Sequence, residues 1–152
     1  GVILHMAREA QMSIDAIDTA LNAESGLEGL CGVNDMRDAI EREAEGDARA
    51  KLALDVYVYR IRKYIGAYTA ALGRLDAIVF TAGVGENSAE IRARVCDELG
   101  FFGIALDEER NRANEPGIRS VHRQGSDVAV LVVPTNEELE IADQTVACIR
   151  AR

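Results

Sequence analysis

Proline is nearly missing from this chain, with Pro116 and Pro134 the only two in 152 residues. With no proline-rich or low-complexity linker and no repeat at the periods of solenoid architectures, the sequence reads as one unit. Cysteine is scarce and odd in number. Cys31, Cys96 and Cys148 form no CxxC pair, which argues against a disulfide framework or a zinc knuckle and leaves free thiols, more often buried than reactive. Positive charge is in deficit, 17 Lys+Arg against 26 Asp+Glu for a net charge of −9. That balance disfavours nonspecific binding to nucleic acid or anionic membranes, because both are polyanions. No apolar run approaches the ~20 residues of a bilayer span, and the start lacks the parts of a signal peptide. The expected location is therefore cytoplasmic. Gly-Lys-Ser/Thr, the end of the Walker loop, occurs nowhere.

What is present suits a globular domain: 48% hydrophobic and 28% charged residues, enough to bury a core. Helical periodicity covers residues 2–10, then a stretch from Ser13, whose hydroxyl can cap a helix carrying Ile14, Ile17 and Leu21 on one face. The glycines of residues 25–32 suggest a loop. Asn34 or Asp35 offers a cap for a helix over 36–44. The longest helix is expected over 47–72, where Leu52, Val56, Tyr59, Ile65, Tyr68 and Leu72 recur at mostly three- and four-residue steps while Leu54, Val58 and Ile61 fall elsewhere. Apolar residues that wide predict burial on more than one side, including against a partner chain. Residues 76–81 and 128–133 read as strands covered on both faces. Each leads into a helix, the first after a glycine turn at 82–87 with Asn87 as cap, the second through residues 134–138. Weaker signals place strands at 104–106 and 118–121 and a helix from Asp107 to about 114. Two strand–turn–helix units in succession indicate the α/β class.

The most informative segment is Gly83-Val84-Gly85-Glu86-Asn87 between a strand and a helix. Ligands in α/β sheets favour the carboxyl ends of strands, where glycine lets the backbone approach a nucleotide. A tight turn that merely needs glycine dihedrals fits the same pattern. Glu137 and Glu138 occupy the equivalent position after the other strand. A carboxylate there could hold Mg2+, which keeps several waters and takes one or two carboxylates, or could simply complement the helix dipole by ~0.3–1 kcal/mol. Asp35-Met36-Arg37 combines a capping carboxylate with an Arg able to stack on a ligand or to form a plain surface ion pair. Arg60-Ile61-Arg62-Lys63 reads as a solvated face. His5 and His122 have no partner at triad or metal spacing, and no cysteine has a histidine partner for nucleophilic catalysis.

Taken together, Ser25–Leu30, Asn34–Asp38, Arg60–Tyr68, Asp76–Ser88 and Pro134–Leu139 resemble, in order and collinearly, the C-terminal part of the acetate kinase family. The resemblance spans residues 1 to about 145. It implies a portion of the second domain of the acetate and sugar kinase, Hsp70 and actin (ribonuclease H-like) fold, with a long helix in the part that forms a homodimer. The whole of 1–152 is then a single C-terminal nucleotide-binding segment, without the N-terminal domain. The implied chemistry is reversible, Mg2+-dependent phosphoryl transfer between ATP and acetate, giving acetyl phosphate and ADP. Residue by residue, the resemblance assigns Asp35, Met36, Arg37, Gly83, Val84, Gly85, Glu86 and Asn87 to ATP and Glu137 to the metal. Ala82 stands where the family commonly has a further glycine. The family's catalytic residues precede the matched stretch, and the uncapped start at Gly1 suggests a chain cut from a longer one. The isolated chain is accordingly expected to be inactive. Propionate or butyrate remain alternative acceptors, and a non-catalytic dimerisation remnant is the alternative of another class.

Overall fold

The computed structural model of the protein describes residues 1–113 and 115–150, and these fall into two compact units, Gly1–Arg60 and Ile61–Arg152. The first is helical. Helix α1 (Val2–Arg8) starts without a side-chain cap, whereas α2 (Ile14–Asn22) begins where Ser13 Oγ accepts from the Ala16 N–H at 3.1 Å. Residues 25–32 are no loop. They form α3 (Gly26–Cys31), closed by Gly32 in the left-handed region at φ 75°. Its last carbonyls are taken up from a distance, Leu30 O by Arg49 Nε at 3.0 Å and Cys31 O by Arg42 Nη1 at 2.8 Å. Those donors supply partners that a helix end otherwise lacks, which is why a glycine-rich stretch becomes helical.

Helix α4 (Met36–Ala44) is capped by Asp35, and α5 (Ala48–Leu72) contributes residues 48–60 to the first unit and 61–72 to the second. Within this chain α5 is buried on one side, where burial on more than one was expected. Ala50, Ala53, Leu54 and Val58 are buried, while Leu52, Val56 and Tyr59 are exposed, as are Tyr64, Tyr68 and Leu72 further along. At 3.6 residues per turn, Leu52, Val56 and Tyr59 share one side, whereas Ile65, Tyr68 and Leu72 fall on the opposite side. The stepwise spacing read from the sequence thus mixes two faces.

The second unit contains a three-stranded sheet. Strand β1 (Ala77–Phe80) leads into α6 (Ala82–Asn87), a short helix where a turn was expected, and then α7 (Ala89–Cys96). The cap of α7 is Ser88, not Asn87: Ser88 Oγ accepts from the Ile91 N–H at 3.2 Å, while Asn87 Nδ2 donates to Gly83 O at 2.8 Å inside α6. A 3-10 turn (Gly100–Phe102), α8 (Glu108–Arg112), β2 (Arg119–Ser120), β3 (Ala129–Val132) and α9 (Glu137–Arg150) follow. Asp107 caps α8 through the Arg110 N–H at 3.0 Å; the end expected at 114 lies outside the described residues. Only bridges form around residues 104–106, Ile104 to Val128 and Leu106 to His122.

The order is β1-β3-β2, with β1 and β3 parallel in the register Ala77↔Ala129 to Phe80↔Val132, and β2 antiparallel to β3. Burial alternates along the strands and is not continuous. Val130 and Val132 are fully buried, yet Val79 is 51% exposed, so one sheet face carries the core and the other does not, contrary to the two-sided cover expected. Arg62, assigned to a solvated face by sequence, donates to the α7 carbonyls of Arg94 and Val95 and pairs with Glu98 at 2.6 Å. Among the described residues, no helix is long and apolar enough to cross a membrane.

Candidate functional site

Because β1 and β3 are parallel, the turns that leave them lie on the same sheet edge, and the Val133 N–H donates to Phe80 O at 2.9 Å to join the two strand ends. Such an edge is where open α/β sheets bind ligands. The first turn opens on Ala82 with φ 57°, left-handed backbone that costs a residue with a Cβ roughly 1–2 kcal/mol. Strain of this kind concentrates at functional segments. Ala82→Gly is expected to raise stability by about 0.5–1 kcal/mol once the entropy of glycine in the unfolded chain is deducted, a gain measurable by urea denaturation; a loss of stability would mean that the left-handed backbone carries no strain.

The two glycines of α6 differ in kind. A Cβ on Gly85 would stand 3.3 Å from the Phe80 carbonyl carbon, so glycine there serves close packing of the helix on the strand. A Cβ on Gly83 would meet nothing within 4 Å, and its φ lies outside the left-handed range. Among the described residues, neither packing nor backbone shape requires glycine at Gly83.

Behind α6 sits a group the sequence reading missed. Arg92 is 2% exposed and has only neutral partners: Nε donates to Asn111 Oδ1 at 2.7 Å, Nη2 to Asn111 O at 2.7 Å, and Nη1 to Gly85 O and Glu86 O at 2.9 and 2.8 Å. Asn111, itself buried, returns Nδ2 to Ala89 O at 2.7 Å. Arg119 Nη2 reaches the same Glu86 O at 3.0 Å, and its Nε is buried without a hydrogen-bond partner among the described residues. Burial, followed by the nearby Arg119 charge, lowers the Arg92 pKa from its ordinary value. The available signal was an arginine on the stripe formed by Ile91, Val95, Cys96 and Leu99, where helix periodicity calls for an apolar residue.

Glu86 turns its carboxylate to the second turn. Oε1 accepts from the Thr135 N–H at 2.8 Å and the Thr135 hydroxyl at 3.0 Å. These bonds, that of the Thr135 N–H first, hold the carboxyl below its usual range, helped by the Ala82 N–H and the Arg119 charge. Two residues on, Glu137 is the exposed first residue of α9, whose start Asn136 caps by accepting from the Leu139 N–H at 3.0 Å. No group of three or more His, Cys, Asp or Glu among the described residues could cage a metal. A single exposed carboxylate is nevertheless what Mg2+ takes from a protein in its usual form, mostly hydrated and sharing phosphate oxygens.

Asp35, Met36 and Arg37 belong to the first unit. Asp35 Oδ1 accepts from the Arg37 N–H and Nε at 2.8 and 3.0 Å, and Oδ2 pairs with Nη2 at 2.6 Å. Arg37 thereby holds the Asp35 carboxyl at about 2. Because that pKa is depressed, the cap's contribution is complete above the ordinary value of 3.8 and is lost as pH falls through about 2. The guanidinium edge is occupied, but 88% of the Arg37 side chain is exposed, leaving its flat face open for stacking. Met36 is buried beneath the turn. Of the thiols, Cys31 and Cys96 are buried and Cys148 is exposed; burial pushes the Cys96 thiol up to about 11, which suppresses the reactive thiolate.

Comparison with known proteins supplies what geometry alone does not. The model of the acetokinase family matches residues 1–143. Acetate kinases of Syntrophobacter fumaroxidans and Leifsonia xyli are 51% and 55% identical, each over 99% of this chain but 36% and 38% of their own length. Among solved structures, the acetate kinase of Porphyromonas gingivalis superposes with a TM-score of 0.87 at 38% identity, covering 98% of this chain and 38% of that one. A propionate kinase from Francisella tularensis gives 0.82 at 35% identity over 93% of this chain and 36% of its own. The chain thus spans a little over a third of the relatives it matches.

Proposed function

We propose, since this chain belongs to the acetokinase family, that it forms the nucleotide side of an acetate kinase, which moves a phosphoryl group reversibly between ATP and acetate with Mg2+. In this reading the α6 backbone at Gly83 and Gly85 cradles phosphate oxygens. The family resemblance assigns Asp35, Met36 and Arg37 of the first unit to the adenosine, Arg37 with its flat side exposed and Met36 buried, and it assigns Glu137 to the hydrated Mg2+. When bound, that ion neutralises charge on the phosphate oxygens. The observation that carries the reading is the unfilled space at Gly83, on the strand-end edge shared with the turn before Glu137. Acetate is the acceptor in this proposal; the similarity to a propionate kinase keeps a longer carboxylate as the second reading.

Phosphoryl transfer depends on several cations and a positioned acceptor, and the residues assigned here serve only nucleotide and metal. The chain alone is therefore expected to bind MgADP weakly and to make no acetyl phosphate. Amide NMR tests the reading: MgADP should shift the signals of residues 35–37, 83–87 and 137, and a hydroxamate assay should stay at background. Shifts confined to other segments, or turnover near that of a complete acetate kinase, would sink it. The exposed Leu52, Val56 and Tyr59 of α5 further support a homodimer, since a row of large apolar side chains on one helix favours a partner. Sedimentation should give twice the chain mass, and a single-chain mass at all concentrations would contradict the dimer.

A further inference from the structure

Glu86 enters the sequence reading as a nucleotide contact, yet its carboxylate is already engaged elsewhere. Oε1 accepts two bonds from Thr135, which is 49 residues away in sequence, and the nearby Ala82 N–H further favours its charged form. Its backbone carbonyl is held separately by Arg92 and Arg119. Glu86 is thus fixed at both ends, with its side chain reaching from the turn after β1 to the turn after β3. The second turn has few other restraints, because no residue of α9 is buried. The direction in which α9 sets out is therefore governed by polar bonds near Thr135 more than by packing, and bonds to a carboxylate are about twice as strong as neutral ones.

We propose that Glu86 is a positioning residue: its carboxylate clasps the turn carrying Glu137 to the turn carrying Gly83 and Gly85, so that the segment proposed to cradle the phosphates also sets the metal-side carboxylate. This deepens the nucleotide and Mg2+ reading above and rests on it. Glu86 then acts through Glu137 and makes no direct contact with the nucleotide.

The test is an ADP titration of the chain followed by amide NMR, once with a chelator and once with excess Mg2+, the ratio of the two dissociation constants giving the enhancement due to the ion. Glu86→Ala and Thr135→Val should each leave metal-free ADP affinity within about twofold of the parent and cut the enhancement by about fivefold or more. Glu86→Gln, which keeps the volume and an acceptor oxygen, should fall in between and guards against misfolding of the alanine variant. In a Glu137→Gln background neither substitution should reduce the enhancement further, because coupled residues are not additive. Without ligand, hydrogen exchange at the Thr135 amide should quicken about fivefold in Glu86→Ala.

Equal losses with and without Mg2+ would make Glu86 a nucleotide contact and overturn the proposal. Unchanged exchange at Thr135, or additive losses in the Glu137→Gln background, would overturn it as well. If the parent chain gains nothing from Mg2+, or Glu137→Gln leaves the gain intact, the nucleotide and metal reading itself fails and the positioning role falls with it. Thr135 exchange separates that outcome from failure of the clasp.

Discussion

Replacing Arg92 with leucine should destabilise the unit spanning Ile61–Arg152 by roughly 2–4 kcal/mol, the cost of several buried oxygens left unpaired less the desolvation that a neutral side chain avoids. Burying a guanidinium costs several kcal/mol on its own. What offsets that cost here is four bonds to neutral oxygens, from Gly85, Glu86 and both the side chain and backbone of Asn111. Leucine fills the space but leaves Gly85 O, Asn111 Oδ1 and Asn111 O without these donors, and each buried orphan costs about 1–3 kcal/mol. Lysine should recover little, because a single ammonium cannot reproduce the planar fork. Urea denaturation of the parent, Arg92→Leu, Asn111→Leu and the double variant gives the measurement. The double variant should lose less than the sum of the single losses, since each substitution removes groups that the other leaves unpaired. A loss below about 1 kcal/mol for Arg92→Leu would mean that water satisfies those carbonyls.

The two glycines of α6 should separate stability from binding. Gly83→Leu puts a good helix former where a Cβ has nothing within 4 Å and should leave stability unchanged or raised by about 0.5–1 kcal/mol. It should also weaken MgADP binding by about tenfold or more, equivalent to roughly 1.4 kcal/mol, because the new side chain occupies the space assigned to phosphate. Gly85→Leu should do the reverse in stability, costing about 1–3 kcal/mol by overpacking against Phe80. Thermal denaturation and the NMR titration read the two effects independently. Unaltered MgADP affinity in Gly83→Leu would remove the observation on which the proposed function stands.

Neither Arg92 nor the Glu86 clasp was legible as such before the fold was known. Arg92 lies among Ile91, Val95 and Cys96, and spacing alone gives no hint of which carbonyls surround a buried guanidinium. Glu86 was noticed, but as one residue of a glycine segment, and its role changed once β1 and β3 paired in parallel and brought residue 135 beside it. The strand–turn–helix pattern places Gly83, Glu137 and Glu138 at strand ends, but only the family resemblance separates Glu137 as the metal-side residue. The side that α5 buries was left open for a related reason: apolar residues lie all round that helix, so its periodicity does not say which face meets the core.

The amino-acid sequence by itself determined what is settled within a few residues. Ser13, Asp35 and Asp107 cap helices because an oxygen two or three residues upstream of an amide reaches it whatever surrounds it, and the apolar runs at 77–80 and 129–132 are strands by short-range preference. The ordered set of motifs also identified the family, since their sequence order carries that information without a fold. Tertiary structure decided what depends on residues far apart in the chain: helix α3, whose end is completed by Arg42 and Arg49; the one-sided burial of the sheet; and the Arg92, Asn111, Glu86 and Thr135 bonds behind and between the two turns. Those contacts arise only when the folded backbone brings distant donors within about 3 Å of carbonyls that would otherwise face water, and no local pattern encodes that meeting.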